Sequence, residues 1–148
     1  MEALEGYLKL ANSKKRDKFL KDHEENNKDS NKAVNDLFPK FSFEFNNVND
    51  RSTAKCAKAV RVAVIDKIIR LSSLAWKEIK ALPREQGFEK IGRDSFKSLP
   101  GDIPHKFKDQ DKIDVFRLPS KKGRLIGFIE GDTFYVVWVD TKFDMYNH

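Results

Sequence analysis

Arg124-Leu125-Ile126-Gly127-Phe128-Ile129 and Phe134-Tyr135-Val136-Val137-Trp138-Val139 are two apolar runs joined by Glu130-Gly131-Asp132-Thr133. Both are too short to read as independent helices, and both are rich in the β-branched and aromatic side chains that fit a pleated surface. Gly131 supplies the positive φ that a twisted hairpin turn requires. The pair predicts an antiparallel hairpin at the end of the chain.

Working outward, Asp114-Val115-Phe116-Arg117-Leu118 reads as a further strand, linked to the hairpin by Pro119-Ser120-Lys121-Lys122-Gly123. Residues 84–112 carry Gly87, Gly92, Pro100, Gly101 and Pro104 and read as loop-rich, with a short helix near Phe96. From Thr53 to Leu82 the period is helical. Val64, Ile68, Leu71, Ala75, Ile79 and Leu82 fall on one face, with Asp66, Lys67, Arg70, Ser73, Lys77 and Lys80 on the other. Ser72-Ser73 marks a bend or break, Pro83 a stop, and Trp76 sits beside the apolar stripe as a core residue. Pro39-Lys40-Phe41-Ser42-Phe43-Glu44-Phe45 alternates at period two and predicts the first strand. Asp50 or Ser52 is placed to cap the helix that follows the Asn-rich turn.

The sum is an α+β domain: N-terminal helical segments and a small antiparallel sheet packed on a long helix or helical hairpin. One sheet face is covered and the other is left to bind. Residues 1–38 read as a polar, partly helical or mobile extension, with Leu4, Leu8, Phe19 and Leu20 as its sparse apolar face. Residues 39–148 form the core domain.

The chain's net charge is +6, from 29 Lys/Arg against 23 Asp/Glu. Residues 1–38 are neutral, with eight of each sign, so the whole excess belongs to residues 39–148. A basic surplus on a domain draws in polyanions by steering and counterion release, which points to nucleic acid. Cys56 is the single cysteine, which excludes an intramolecular disulfide framework and a cysteine-cluster zinc site. No signal peptide is recognisable at Met1–Ala11, and the run Phe134–Val139 is too short to cross a bilayer. A soluble cytoplasmic protein, without membrane contact, is expected. No HExxH, P-loop, GxSxG or acidic metal cluster occurs, so neither a metal nor a small-molecule cofactor is expected.

Phe116-Arg117-Leu118, Gly123-Arg124-Leu125-Ile126-Gly127-Phe128 and Phe134–Asp140, after the lead-in Leu99–His105, resemble the successive strands of the RelE/ParE-type bacterial toxins. These are small mRNA interferases of toxin–antitoxin pairs. The strand-then-helices order of residues 39–82 fits the same architecture less specifically. The resemblance implies a metal-independent endoribonuclease acting on mRNA, ribosome-bound in some members, and silenced by a cognate antitoxin protein.

Such cleavage drives the ribose 2′-oxygen against the adjacent phosphate and needs a base, an acid and cations. By resemblance, Arg117 and Arg124 stand at phosphate-contacting positions. Lys106 and Lys108 stand near proton-shuttling ones, and His105 is a substitute with a suitable unperturbed pKa. Lys121 and Lys122 add a basic loop for RNA. In the tail, Tyr146 stacks on a base or orients the hydroxyl and His148 acts as acid or base. Lys142 stands where the family carries an arginine. Glu89 and Lys90, in Gly87-Phe88-Glu89-Lys90-Ile91, read as a packing element. The alternatives are a non-catalytic nucleic-acid-binding regulator and a protein-interaction module.

Overall fold

Residues 34–46, 50–100 and 103–147 are described by a computed structural model of the chain. The chain divides into two compact units, Met1–Leu37 and Phe38–His148. Of the first unit, a 3-10 turn at Val34–Asp36 is described. The apolar face expected from Leu4, Leu8, Phe19 and Leu20 lies outside the described residues.

The second unit is α+β. Its elements are β1 (Lys40–Ser42), α1 (Lys58–Ser72), α2 (Trp76–Lys80), β2 (Phe88–Gly92), β3 (Lys112–Arg117), β4 (Arg124–Glu130) and β5 (Thr133–Asp140). They form one five-stranded sheet in the order β1-β5-β4-β3-β2. β2 to β5 run as an antiparallel meander, and Glu130 stands opposite Thr133, so Gly131-Asp132 is the hairpin loop. Gly131 adopts φ 60°, as the first loop position of such a turn requires.

Two features correct the expected sheet. β1 pairs with β5 in parallel, Phe41 opposite Phe134, so the sheet is mixed. β2 lies inside the stretch that reads as loop. Phe88 packs into the cluster on one face of the sheet, and Ile91 into the cluster on the other. An edge strand that buries one residue on each face spaces its apolar residues by three, which hides the period of two.

The helical stretch is also divided. A 3-10 turn at Thr53–Lys55 precedes α1, and α1 stops at Ser72. Ser72 Oγ donates to the Ile68 carbonyl at 2.6 Å and Ser73 Oγ to that of Arg70 at 2.8 Å, local bonds that compete with helix continuation. Glu78 then accepts the Ala75 N–H at 2.8 Å and starts α2. The Trp76 indole N–H donates to the Asp132 carbonyl at 3.0 Å, tying α2 to the hairpin turn.

Val64, Leu71, Trp76 and Ile79 pack on Phe116, Leu125, Phe134, Val136 and Val139, as the helical stripe predicts. Each fully buried side chain of this size contributes about 2 kcal/mol. Lys67, expected on the polar face, is instead buried, and its Nζ donates to the Gln86 carbonyl at 2.6 Å. Burial, with Arg70 nearby, lowers its pKa to about 8.

The second sheet face is not free. Phe96, Phe107, Met145 and Tyr146 cover Ile113, Val115, Ile126, Phe128, Val137 and Trp138. A bulge in β5 makes this possible. Ile126 pairs with Trp138 but Gly127 with Val136, so Val137 is the extra residue and turns to the same face as Trp138. Gly127 is required there, because a Cβ would lie 1.8 Å from the Tyr135 carbonyl oxygen.

Candidate active site

At the end of the sheet where β3 stops and β4 begins, four polar side chains from different strands meet on the second face. Register sets them side by side: Arg117 is opposite Arg124, and Arg124 is opposite Asp140. Directly opposed residues on neighbouring strands have Cβ atoms about 5 Å apart, and like charges so placed repel. Two neighbours relieve that repulsion. The Glu89 carboxylate accepts from Nη2 of Arg117 at 3.0 Å and also from Nε of Arg84. Arg124 places its guanidinium carbon 5.0 Å from the Tyr146 ring centroid and 5.1 Å from that of Phe143.

The electrostatics follow from burial. Desolvation raises the Glu89 carboxyl, but hydrogen bonds and charge from Arg84 and Arg117 outweigh it, so its pKa lies below the ordinary glutamate value. Glu89 is therefore a carboxylate at neutral pH. Tyr146 is raised, chiefly by burial, with the nearby arginines opposing, so it remains a neutral phenol that can donate. The buried Nε of Arg117 has no hydrogen-bond partner among the described residues.

A cavity of about 540 Å³ opens beside the arginine pair, lined by Glu85, Arg117, Ser120, Lys121, Arg124 and Phe143 among others. Its rim is strained. Ser120 and Lys121 are consecutive left-handed residues, with φ 55° and 54°. Each costs about 1 kcal/mol or more, and such strain is concentrated at functional loops. Gly123, at φ 144°, lets this loop approach the β5 end, where a Cβ would stand 2.8 Å from the Asp140 carbonyl oxygen.

Asp140 brings Tyr146 to the cluster. Its fully buried carboxylate accepts the backbone N–H of Lys142 at 3.2 Å, Asp144 at 3.4 Å and Met145 at 3.1 Å. Arg51 clamps the same turn, with Nη1 at 2.9 Å from Asp140 and 2.8 Å from Asp144. The tail then runs beside residues 95–97: Lys97 N–H donates to the Met145 carbonyl at 3.0 Å, and Tyr146 bridges Phe96. The tail is thus a built element through Asn147.

The cluster unites Arg117, Arg124 and Tyr146 of the expected site, with Lys121 at the cavity rim. Arg124 is buried rather than a solvent-facing strand residue. The other expected residues lie elsewhere. Lys106 pairs with Glu130 at 3.0 Å and with the Tyr135 hydroxyl at 3.1 Å. Glu130 and Arg124 end β4 on opposite sides, about 20 Å apart at the rise of an antiparallel strand. His105 shares the 3-10 turn His105–Phe107 with Lys106. Lys108 follows it, its carbonyl accepting from Arg93 at 2.6 Å. The turn is held there because Phe107 stacks on Phe128, with ring centroids 4.5 Å apart. Lys142 lines a different cavity, with Arg51, Cys56 and Val60, since the Asp140-capped turn directs it away. Lys122 is exposed beyond the rim, and His148 lies outside the described residues.

Glu89 is the residue that sequence reasoning set aside, and Arg84 and Phe143 were not singled out. Recognising β2 as a strand would have placed Glu89 opposite Val115, on the Arg117 face. Comparison with protein-family models, curated proteins and solved structures finds no match.

Proposed function

We propose that this chain is a metal-independent endoribonuclease of the RelE/ParE type, a toxin that cleaves mRNA and is restrained by an antitoxin protein. The observation that carries the proposal is the cross-strand Arg117–Arg124 pair, which lines a cavity, with Glu89 bonded to Arg117 and the Tyr146 ring against Arg124. Two arginines held side by side form a site for a phosphate, whose charge they share by bidentate hydrogen bonds. The excess charge of residues 39–148 and the strand order of the meander support the same proposal.

In the proposed reaction the phosphate occupies the arginine pair and draws Arg117 away from Glu89. With that partner gone, Arg84 alone holds Glu89, and the carboxylate takes the 2′-proton. The 2′-oxygen forms its bond to phosphorus as the bond to the 5′-oxygen breaks. The neutral Tyr146 phenol supplies the proton to that leaving oxygen. The products are a 2′,3′-cyclic phosphate and a free 5′-hydroxyl.

The test is incubation of the full chain with an mRNA in EDTA, followed by mass spectrometry of the new ends. Cyclic phosphate and 5′-hydroxyl termini are expected. RNA left intact both free in EDTA and on ribosomes in magnesium, or cleavage of free RNA that EDTA abolishes, overturns the proposal.

A further inference from the structure

The proposed reaction uses only the arginine wall of the cavity beside Arg117 and Arg124. Its other walls include Leu118, Pro119 and Phe143, which are apolar, and Glu85. At about 540 Å³ it falls in the range of small-molecule sites, roughly 300–1,000 Å³. Phe143 is held there under strain. Its backbone is left-handed, with φ 56°, a conformation that glycine adopts freely and phenylalanine does not. Its ring lies against the Arg124 guanidinium, 5.1 Å from the centroid, yet the residue stays 36% exposed, so part of the ring is left uncovered. A glycine would turn the chain without that strain. What phenylalanine adds is a flat apolar surface beside a phosphate-binding arginine, and such surfaces stack on nucleobases.

Glu85 stands on a built turn. The N–H groups of Gln86 and Gly87 both donate to the Pro83 carbonyl at 2.8 Å. Lys67 Nζ donates to the Gln86 carbonyl at 2.6 Å, and Arg70 Nη2 to Gln86 Oε1 at 2.9 Å. The neighbouring Arg84 is engaged with Glu89. The Glu85 carboxylate makes no ion pair or hydrogen bond among the described residues, although Arg117, Lys121 and Arg124 line the same cavity. Chemistry then selects the base. A carboxylate is an acceptor only, and it takes two parallel N–H donors best. The Watson–Crick edge of guanine offers two adjacent donors, N1–H and N2–H. Adenine and cytosine each set one donor beside a ring-nitrogen acceptor. Uracil sets its single N–H between two carbonyls. Each of these three turns a lone pair toward the carboxylate.

From this we infer that the cavity is a guanine site. The base adjoining the phosphate on the arginine pair enters it, stacks on Phe143 and donates N1–H and N2–H to Glu85. Glu85 thereby sets the sequence preference of the proposed ribonuclease, on whose arginine pair this site rests, and Phe143 holds any base.

The test is calorimetric titration of the full chain with the 3′- and 5′-monophosphates of guanosine, adenosine, cytidine and uridine, which hold no phosphodiester to be cut. A guanosine monophosphate is expected to bind about tenfold or more tighter than the matching form of the other three, the discrimination of one bidentate pair. Glu85→Gln replaces an acceptor by a donor, brings guanosine down to the level of the others and leaves theirs unchanged. Phe143→Leu weakens all four about tenfold and keeps the preference, since stacking serves every base. Both variants keep the melting temperature within about 2 °C, because both side chains are exposed. No binding at millimolar nucleotide, equal binding of the four, a guanosine preference that survives Glu85→Gln, or unchanged binding by Phe143→Leu each overturns the site. Selective binding by a chain that leaves RNA intact upholds the guanine site and overturns the ribonuclease reading alone. RNA cleavage by a chain that binds the four nucleotides equally overturns the guanine site alone.

Discussion

Glu89 faces Val115 in the β2–β3 register, yet its carboxylate bonds diagonally to Arg117, two residues further along β3, at 3.0 Å. The diagonal is possible because both side chains stand on the same sheet face at the end of the ladder, where no further residue intervenes. It leaves the Arg117 guanidinium neutralised by a group that a phosphate can displace.

Arg117→Ala and Glu89→Gln are each expected to lower the rate of RNA cleavage about 100-fold, the loss typical of removing one transition-state stabiliser. Arg117 is partly exposed, so its truncation leaves the domain folded. The double variant should be little worse than either single one, because the pair acts as a unit. Arg124 needs a milder change: it is buried between Phe143 and Tyr146, so Arg124→Lys separates chemistry from packing better than Arg124→Ala. Single-turnover cleavage alongside thermal melting decides it, and unchanged rates in all four variants would place the chemistry elsewhere.

Asp140→Asn keeps the shape of the side chain but removes the charge facing Arg51 and one oxygen from three backbone donors. Breaking a buried pair from one side costs about 3–5 kcal/mol, so the melting temperature should fall by several degrees or more. Amide exchange at Met145 and Asn147 should accelerate beyond the loss of global stability, since the turn that carries them has lost its anchor. Cleavage should fall with it, through the displacement of Tyr146.

Gly127→Ala is expected to destabilise the domain by more than about 3 kcal/mol, because the added methyl group meets backbone that cannot move without opening the β5 bulge. Gly92→Ala is the control. A Cβ there meets nothing within 4 Å, and removing a glycine from a strand should stabilise by about 0.5 kcal/mol. Paired urea titrations read both; equal stability for the two variants would show that the bulge is not a fixed feature.

Lys67 has a folded pKa of about 8, below the 10.5 of the free side chain. Between these values the unfolded chain binds more protons than the folded one, so this group makes stability rise with pH from 8 to 10.5. Below pH 8 both states carry the charge and the full penalty of burial is present. Lys67→Met removes that penalty at neutral pH, for a gain on the order of 1–2 kcal/mol after loss of the Gln86 bond. The difference between wild type and variant should shrink as pH rises toward 10, in chemical unfolding at stepped pH. A difference that stays constant would show that the fold does not lower the pKa of this lysine.

Local sequence determined much of this protein. The apolar, β-branched and aromatic runs of β4 and β5, the glycine turn between them and the helical stripe from Val64 to Ile79 are each readable from neighbouring residues alone. Arg117, Arg124 and Tyr146 were candidates through the resemblance to the RelE/ParE-type strands and tail, not through any local period. Only tertiary structure decided the rest. β2 buries one side chain on each sheet face, so no local period betrays it, and Glu89 was hidden with it. The parallel docking of β1 against a strand some 90 residues away, the cover over the second face and the burial of Lys67 depend on which segments meet. So does the separation of His105, Lys106 and Lys142 from the arginines: they are near in sequence to the strands, but the Phe107 stack and the Asp140-capped turn send them elsewhere.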